Sequence, residues 1–261
     1  MVILGNFYDI YNHLKGIEKV NNKQKDNKFI GAYNLSDKEK FDNIIRFARD
    51  ILQKKIDHNV KEHPIFDVVR ILGRSLQSEY MEYLLYTKDE ENNLVPNLDW
   101  SSLGFDPYVR LSNNYPENIT LDNIIKQVKS SKKIILNKDL ILPWPWRKSK
   151  FVRSLFNIGE GRKFGKWKQD YNNHFVQVWL QMGIAWVVNG NHSICMGIIQ
   201  GGELEPEGYY DISEVYKYVD CDGVNYIKKE DNSVISEVKN VEFAAIFEIG
   251  RLLNEKGLSF I

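Results

Sequence analysis

The chain has 261 residues, 43% hydrophobic and 13% aromatic, with 35 Lys/Arg against 35 Asp/Glu. That length and composition describe a globular protein of one or two domains, and zero net charge removes any global field toward nucleic acid or an acidic membrane. Two cysteines exclude a disulfide framework, and the absence of a basic leader or of roughly 20 consecutive apolar residues makes a cytoplasmic protein with no membrane association the expectation.

Phe7, Ile10, Tyr11, Leu14 and Ile17 recur at helical spacing, and a Lys/Asn-rich connector covers 21–28. Ser36-Asp37-Lys38-Glu39 has the form of a capping box, with Phe41, Ile44, Ile45, Ala48, Ile51 and Leu52 on one face behind it. Pro64 suits a first helical turn, and an apolar stripe runs from Ile65 to Tyr86. Residues 88–99 and 112–118 read as loops, and Thr120 caps an expected helix carrying Leu121, Ile124, Ile125 and Val128.

The texture changes at Lys133. Ile134-Ile135-Leu136 and Leu140-Ile141-Leu142 are strand-like, stopped by Pro143-Trp144-Pro145-Trp146. Residues 151–158 make two helical turns ended by Gly159 and Gly161. His174–Leu180 and Ile184–Val188 form a hairpin around Gln181-Met182-Gly183. Asp211-Ile212-Ser213-Glu214 reads as a helix start running to Val219, residues 224–228 and 234–238 as a second hairpin, and Asn240 as the opening of a last helix ended near Gly257. The expected architecture is α+β: a helical domain over 1–131, then a small mixed α/β domain over 132–261.

Charge is segregated along the chain. Residues 132–170 hold eleven Lys/Arg against three acids, whereas 203–242 hold eleven acids against four lysines. Either the two stretches neutralise each other across the fold, or the first forms a basic mouth for an anionic ligand.

Four local features converge on 139–214. The apolar run ending in Val187-Val188 passes into Asn189-Gly190-Asn191-His192-Ser193 and then a helix-compatible segment. Helix N-termini hold orphan N–H donors and partial positive charge, so this junction is a candidate phosphate seat. Gly190 permits close backbone approach, Asn191 and Ser193 offer hydrogen bonds, and His192 can donate to a phosphate or move a proton. Turn and cap chemistry explains the same residues equally well. Second, Pro143–Lys150 with Arg153 combines stacking faces with cations, Arg147 foremost; a rigid connector with core-filling tryptophans is the alternative. Third, the Gly-rich basic loop 159–168, with Arg162, suits closure over an anion, or is only a solvated excursion. Fourth, Glu203, Glu205, Glu207, Asp211 and Glu214 include carboxylates that would suit Mg²⁺ beside a nucleotide, although a solvated loop explains them better and no metal ligand is assigned. Cys195 at a helix start reads as a buried structural thiol rather than a reactive one.

The order of parts in 133–200 resembles the domain shared by ParB partitioning proteins and sulfiredoxins. Ile141-Leu142-Pro143-Trp144-Pro145-Trp146-Arg147 is similar to its proline–arginine box, and Val187-Val188-Asn189-Gly190-Asn191-His192-Ser193 to its second motif. The resemblance implies a nucleotide-phosphate site in which Asn189, Gly190, Asn191, His192 and Ser193 line the junction and Arg147 reaches it, with NTP hydrolysis or phosphotransfer as the chemistry. The motif arginine is replaced here by Ser193, so either Arg147, Arg153 or Arg162 substitutes for the guanidinium or the hydrolytic activity is altered or lost. Asn191 stands where sulfiredoxins carry their catalytic cysteine, which argues against sulfinic-acid reduction. The whole chain also resembles an uncharacterised bacterial family with the same Gly-Asn-His-Ser element.

Three functions follow as expectations. The first is binding of a nucleotide, with Mg²⁺, or of another phosphorylated small molecule, with His192 as the catalytic residue if phosphate is hydrolysed or transferred. The second is a non-catalytic nucleic-acid-binding module using 144–168, and the third a protein-interaction scaffold recruiting partners through the helical half. The sequence fixes neither the substrate nor the oligomeric state.

Overall fold

The computed structural model describes residues 34–57, 59–88, 90, 97–113 and 119–261. The helix expected over 7–17 and the connector over 21–28 lie outside these residues, as does most of the loops at 88–99 and 112–118.

Helix α1 (Asp37–Gln53) starts where the capping box places it. Ser36 Oγ accepts from the Glu39 N–H while the Glu39 carboxylate accepts from the Ser36 N–H, and Phe41, Ile45, Ala48 and Leu52 form the buried stripe. Helix α2 (Ile65–Tyr86) follows Pro64 and buries Ile65, Phe66, Val69, Leu76, Tyr80 and Leu84. Gly73 lets α2 lie close over the sheet, because a Cβ there would stand 2.2 Å from the Leu140 side chain. A single turn α3 (Trp100–Leu103) is capped by Asp99.

The helix expected through Val128 is cut short. Only α4 (Leu121–Ile124) is helical, with Asn123 Oδ1 accepting from the Thr120 N–H, and Lys126–Val128 forms strand β1. Successive β-branched residues at 124–125 favour extended backbone, and pairing with Tyr209–Asp211 supplies the hydrogen bonds that another helical turn would have made.

Strands β2 (Ile134–Ile135) and β3 (Leu140–Leu142) appear where the apolar runs stand but join different sheets. After β3 come α5 (Lys148–Asn157), β4 (Phe175–Trp179), β5 (Ile184–Asn189), α6 (Asn191–Gln200), β6 (Glu203–Leu204) and β7 (Gly208–Asp211). The expected helix over 211–219 is a 3₁₀ turn at Ser213–Lys217, preceded by β7, which the acidic, Pro- and Gly-bearing sequence had hidden. Strands β8 (Val219–Cys221), β9 (Asn225–Lys228) and β10 (Val234–Glu237) form a second sheet, and α7 (Val241–Glu255) closes the fold. No helix among the described residues is long and apolar enough to cross a membrane.

The main sheet has the order β1-β7-β4-β5-β3. The β4–β5 pair is the expected antiparallel hairpin, turned at Gly183 with φ +64°, while β3 runs parallel to β5 and β7 parallel to β4. The smaller sheet is β10-β9-β8, with β9–β10 the second expected hairpin, and β2 pairs with β6 alone. The architecture is therefore α+β. Asn240 caps α7 by accepting from the Phe243 N–H, and the helix buries residues nearly all round, as a central element must. Helices α1 and α2 pack on α7, and α2 also packs on β3, so the helical and sheet layers share one buried cluster.

Alternation along the central strands decides what each sheet face carries. Val176 and Val178 turn to one side; Gln177 and Trp179 turn to the other, level with Trp186 on β5 and Tyr210 on β7. Trp179 and Trp186 touch Trp100 and Phe243, so part of this aromatic face packs on α3 and α7. The remainder lines an open hollow.

Candidate functional site

The junction is the strand-to-helix turn the sequence describes. Strand β5 ends at Asn189, Gly190 adopts φ +85° and ψ +15°, and α6 starts at Asn191. A left-handed backbone is required there, and no side chain fits: a Cβ would lie 2.5 Å from His174 Cδ2 and 2.9 Å from the Asn173 carbonyl oxygen.

The three polar side chains after Gly190 all engage the protein. Asn191 Oδ1 accepts from the Trp144 N–H at 2.7 Å, and His192 Nε2 accepts from the Arg147 N–H at 3.0 Å. Together they fasten the proline–tryptophan box to the start of α6 and satisfy two of its backbone donors. Ser193 Oγ donates to the Gly190 carbonyl at 3.0 Å and lies 2.6 Å from His174 Nε2. Because His174 Nδ1 accepts from the Asp170 N–H, Nε2 must carry the proton and donate to Ser193. Trp167 stacks on His174 at 5.1 Å and its indole N–H donates to the Ser193 carbonyl. Tertiary hydrogen bonds to Trp144, Arg147 and His174 thus engage the side chains of Asn191, His192 and Ser193, with only the Ser193–Gly190 bond local to the turn.

Burial, reinforced by the Lys150 charge, pulls His192 down from the ordinary imidazole value to about 4. Accepting the Arg147 N–H demands an unprotonated Nε2, so at neutral pH the ring is neutral and carries its proton on Nδ1. This fixes the sign of a pH effect. The unfolded chain protonates His192 near pH 6.5 and the native state only near 4, so stability falls as pH drops through that window. His174 and His63, also lowered by burial, push the same way. For a half-buried ring, screened by solvent, the His192 contribution is on the order of 1–2 kcal/mol. Urea midpoints measured from pH 7 to pH 4.5 are expected to fall less steeply for His192→Gln, whose amide oxygen can accept the same N–H; equal slopes would contradict this.

What remains for a ligand is a hollow of about 470 Å³ in front of the α6 N-terminus. Asn189, Gly190, Asn191, His192 and Ser193 line it, as do Lys150 and Arg153 from α5. Lys150 also lies over the Trp146 ring, 4.6 Å from its centroid, and Trp146 meets His192 edge to face. Asp170 lines the hollow too, with one oxygen accepting from the Asn172 N–H. Of the expected site residues, Arg153 therefore joins the junction group. Arg147 takes part through its backbone, and its guanidinium lies 3.5 Å from the Glu90 carboxylate. Arg162 turns away, donating to the Ile158 carbonyl beside a separate hollow at Gly159–Gly202.

Lys150 belongs to the candidate segment without being named a site residue, and Glu90 carries no mark in the sequence. Lys150 stands three residues before Arg153 on α5, a spacing that puts both on one helix face, and this is the signal that could have found it. Glu90 accepts from the Ser149 N–H at the start of α5, and hydrogen bonding to Ser149, its side chain first and its N–H after, draws the Glu90 carboxyl below the usual range. No short-range pattern links residue 90 to residue 149.

The acidic set disperses. Glu203 and Glu205 face Lys133, Glu214 pairs with Lys217, and Asp211 accepts from Gln181 and the Ser213 N–H. Among the described residues no three His, Cys, Asp or Glu side chains are grouped to hold a metal ion. Both cysteines are buried, which raises the Cys195 thiol far out of its ordinary range and pushes Cys221 up to about 12.

A second hollow, of about 660 Å³, abuts the first along Trp146, Asn189 and Asn191. Its walls include Trp144, Trp179, Trp186 and Tyr210, with Asp122 and Gln177 among its polar groups. The tryptophans expected as core plugs are thus partly a lining.

No curated protein and no solved structure gives a match. The model of a family of unknown function, DUF6710, matches residues 10–260, and the chain belongs to that family.

Proposed function

We propose that the protein binds a nucleotide or similar phosphorylated small molecule, with the phosphates held in the hollow before α6. The observation that carries this reading is the convergence of Lys150 and Arg153 on the start of a ten-residue helix, where the Ser193 and Ile194 N–H groups donate to the Gly190 carbonyl but those of Asn191 and His192 make no hydrogen bond among the described residues. A neutral His192, fixed by the Arg147 N–H, serves as a donor through Nδ1 rather than as a general acid. Lys150 and Arg153 take the neutralising part that the resemblance to ParB and sulfiredoxin domains gives to a motif arginine. The order β3, box, α5, hairpin and junction accords with that resemblance. The acidic set does not fit a protein-held Mg²⁺, since Glu205, Glu214 and Asp211 are engaged in ion pairs or turns and do not line the hollow, which has Asp170 as its one carboxylate among the described residues; the ion would arrive with the phosphates.

The test is thermal stabilisation by a panel of nucleoside mono-, di- and triphosphates with Mg²⁺, with inorganic phosphate release followed in parallel. At a ligand concentration about a hundredfold above Kd, stabilisation of about 2.7 kcal/mol is expected for the wild type and little for Lys150→Ala/Arg153→Ala. No shift for any member, or equal shifts in the variant, removes the reading. Phosphate release lost in His192→Gln would extend it to catalysis.

A second reading has its own observation. Phe156, Phe164 and Tyr171 are 77%, 56% and 66% exposed among Lys148, Lys150, Arg153, Lys163 and Lys168, a surface on which single-stranded bases could stack. It predicts oligonucleotide binding that falls steeply with salt and weakens in Phe156→Ala/Phe164→Ala; a flat salt response removes it.

A further inference from the structure

We infer that the tryptophan hollow is a subsite for a planar heteroaromatic ring of the nucleobase type. Where it serves the same ligand as the phosphate hollow, this rests on the function proposed above.

The sheet builds the floor. Trp179 and Gln177 on β4, Trp186 on β5 and Tyr210 on β7 share a face because they stand at matched register positions, and Gly208 opposite Gln177 adds no side chain of its own. Trp144 and Trp146 come from the box, whose backbone Asn191 and His192 hold in place. Flat aromatic walls around about 660 Å³ suit a ring that stacks, and aromatic stacking is tolerant of which base is present.

Polar groups are set among these walls. The Gln177 amide is half-buried on the sheet and makes no hydrogen bond among the described residues; an amide of this kind pairs with a base edge through one donor and one acceptor. The indole N–H groups of Trp144 and Trp186 also lack partners among the described residues, but both nitrogens are closed off from solvent, so the aromatic faces rather than these donors serve the hollow. Asp122 contributes a carboxylate that accepts from a ring amino group or a ribose hydroxyl. The cationic hollow lies next door, across Trp146, Asn189 and Asn191, so a ligand with a flat ring at one end and phosphates at the other meets both chemistries.

Five of the six tryptophans, Trp100, Trp144, Trp146, Trp179 and Trp186, line this hollow, which makes intrinsic fluorescence the natural readout. The full chain is titrated separately with the four phosphate-free ribonucleosides, with pyrophosphate and with tetramethylammonium. Saturable quenching by at least one nucleoside is expected, weakened roughly tenfold in Gln177→Ala, while pyrophosphate binding measured by calorimetry is unchanged by that substitution. Nucleoside binding without pyrophosphate binding keeps the ring subsite and discards the phosphate reading. Pyrophosphate binding with no nucleoside quenching up to about 10 mM overturns the ring subsite. So does saturable quenching by tetramethylammonium alone, which would make the hollow an ammonium cage.

Discussion

Arg70→Met is expected to destabilise the protein by about 3–5 kcal/mol, the range for stripping one partner from a buried ion pair. Arg70 lies on α2 with its side chain 8% exposed, and its guanidinium reaches Asp139 at 2.8 Å, Glu62 at 2.7 Å and Asp67 at 2.7 Å. Asp139 is 4% exposed and also accepts from the Ile135 N–H, so it holds the β2–β3 connection to the helix. Burial by itself would raise the Glu62 carboxyl, but hydrogen bonds from Arg70, Lys132 and Lys138 outweigh it and hold it at about 2. A carboxyl depressed in this way adds stability above its unfolded value, lost as pH falls toward 2, and removing Arg70 reduces that contribution. The substitution leaves Asp139 buried without its guanidinium. The double variant Arg70→Met/Asp139→Leu should therefore recover part of the loss. Urea midpoints decide the matter: a cost for Arg70→Met below about 1 kcal/mol, or no recovery in the double variant, would show that this network does not tie helix to sheet.

Gly190→Ala is expected to cost about 2–4 kcal/mol, the sum of a left-handed backbone and a close contact. Its φ of +85° penalises any Cβ, and the Cβ would meet the His174 ring at 2.5 Å and the Asn173 carbonyl at 2.9 Å. His174 cannot withdraw cheaply, since it is stacked on Trp167 and hydrogen-bonded at both nitrogens. Gly161→Ala separates the two contributions: φ is +73° there, yet nothing lies within 4 Å of the added carbon. It should cost about 1 kcal/mol. Equal losses for the two variants would mean that the approach of Gly190 to His174 is not a constraint, and that ligand access rather than packing sets the glycine.

Much of the fold was legible because it rests on local chemistry. The Ser36–Glu39 box, the stripes of α1 and α2, the Gly183 hairpin and the Asn240 cap each depend on residues a few positions apart. Strands β1 and β7 were not legible, because they pair with each other across more than eighty positions and β7 pairs with β4 across about thirty. The site divides along the same line. Gly190 and the start of α6 follow from Asn-Gly turn chemistry, whereas the engagement of Asn191 with residue 144, of His192 with residue 147 and of Ser193 with residue 174 arises from tertiary contacts alone. The same contacts carry the Trp144–Trp146 box to the sheet face bearing Trp179 and Trp186, where an aromatic lining forms that no local spacing marks.

The proposed phosphate seat lies where α5 and α6 meet. Amide nitrogen–proton correlation spectra of the full chain, recorded during titration with a nucleoside triphosphate and Mg²⁺, test it most directly. Saturable shifts are expected at Lys150, Arg153 and Gly190–Ser193, abolished in Lys150→Ala/Arg153→Ala. Shifts at saturation confined to residues outside these two segments, or none at all, would contradict it.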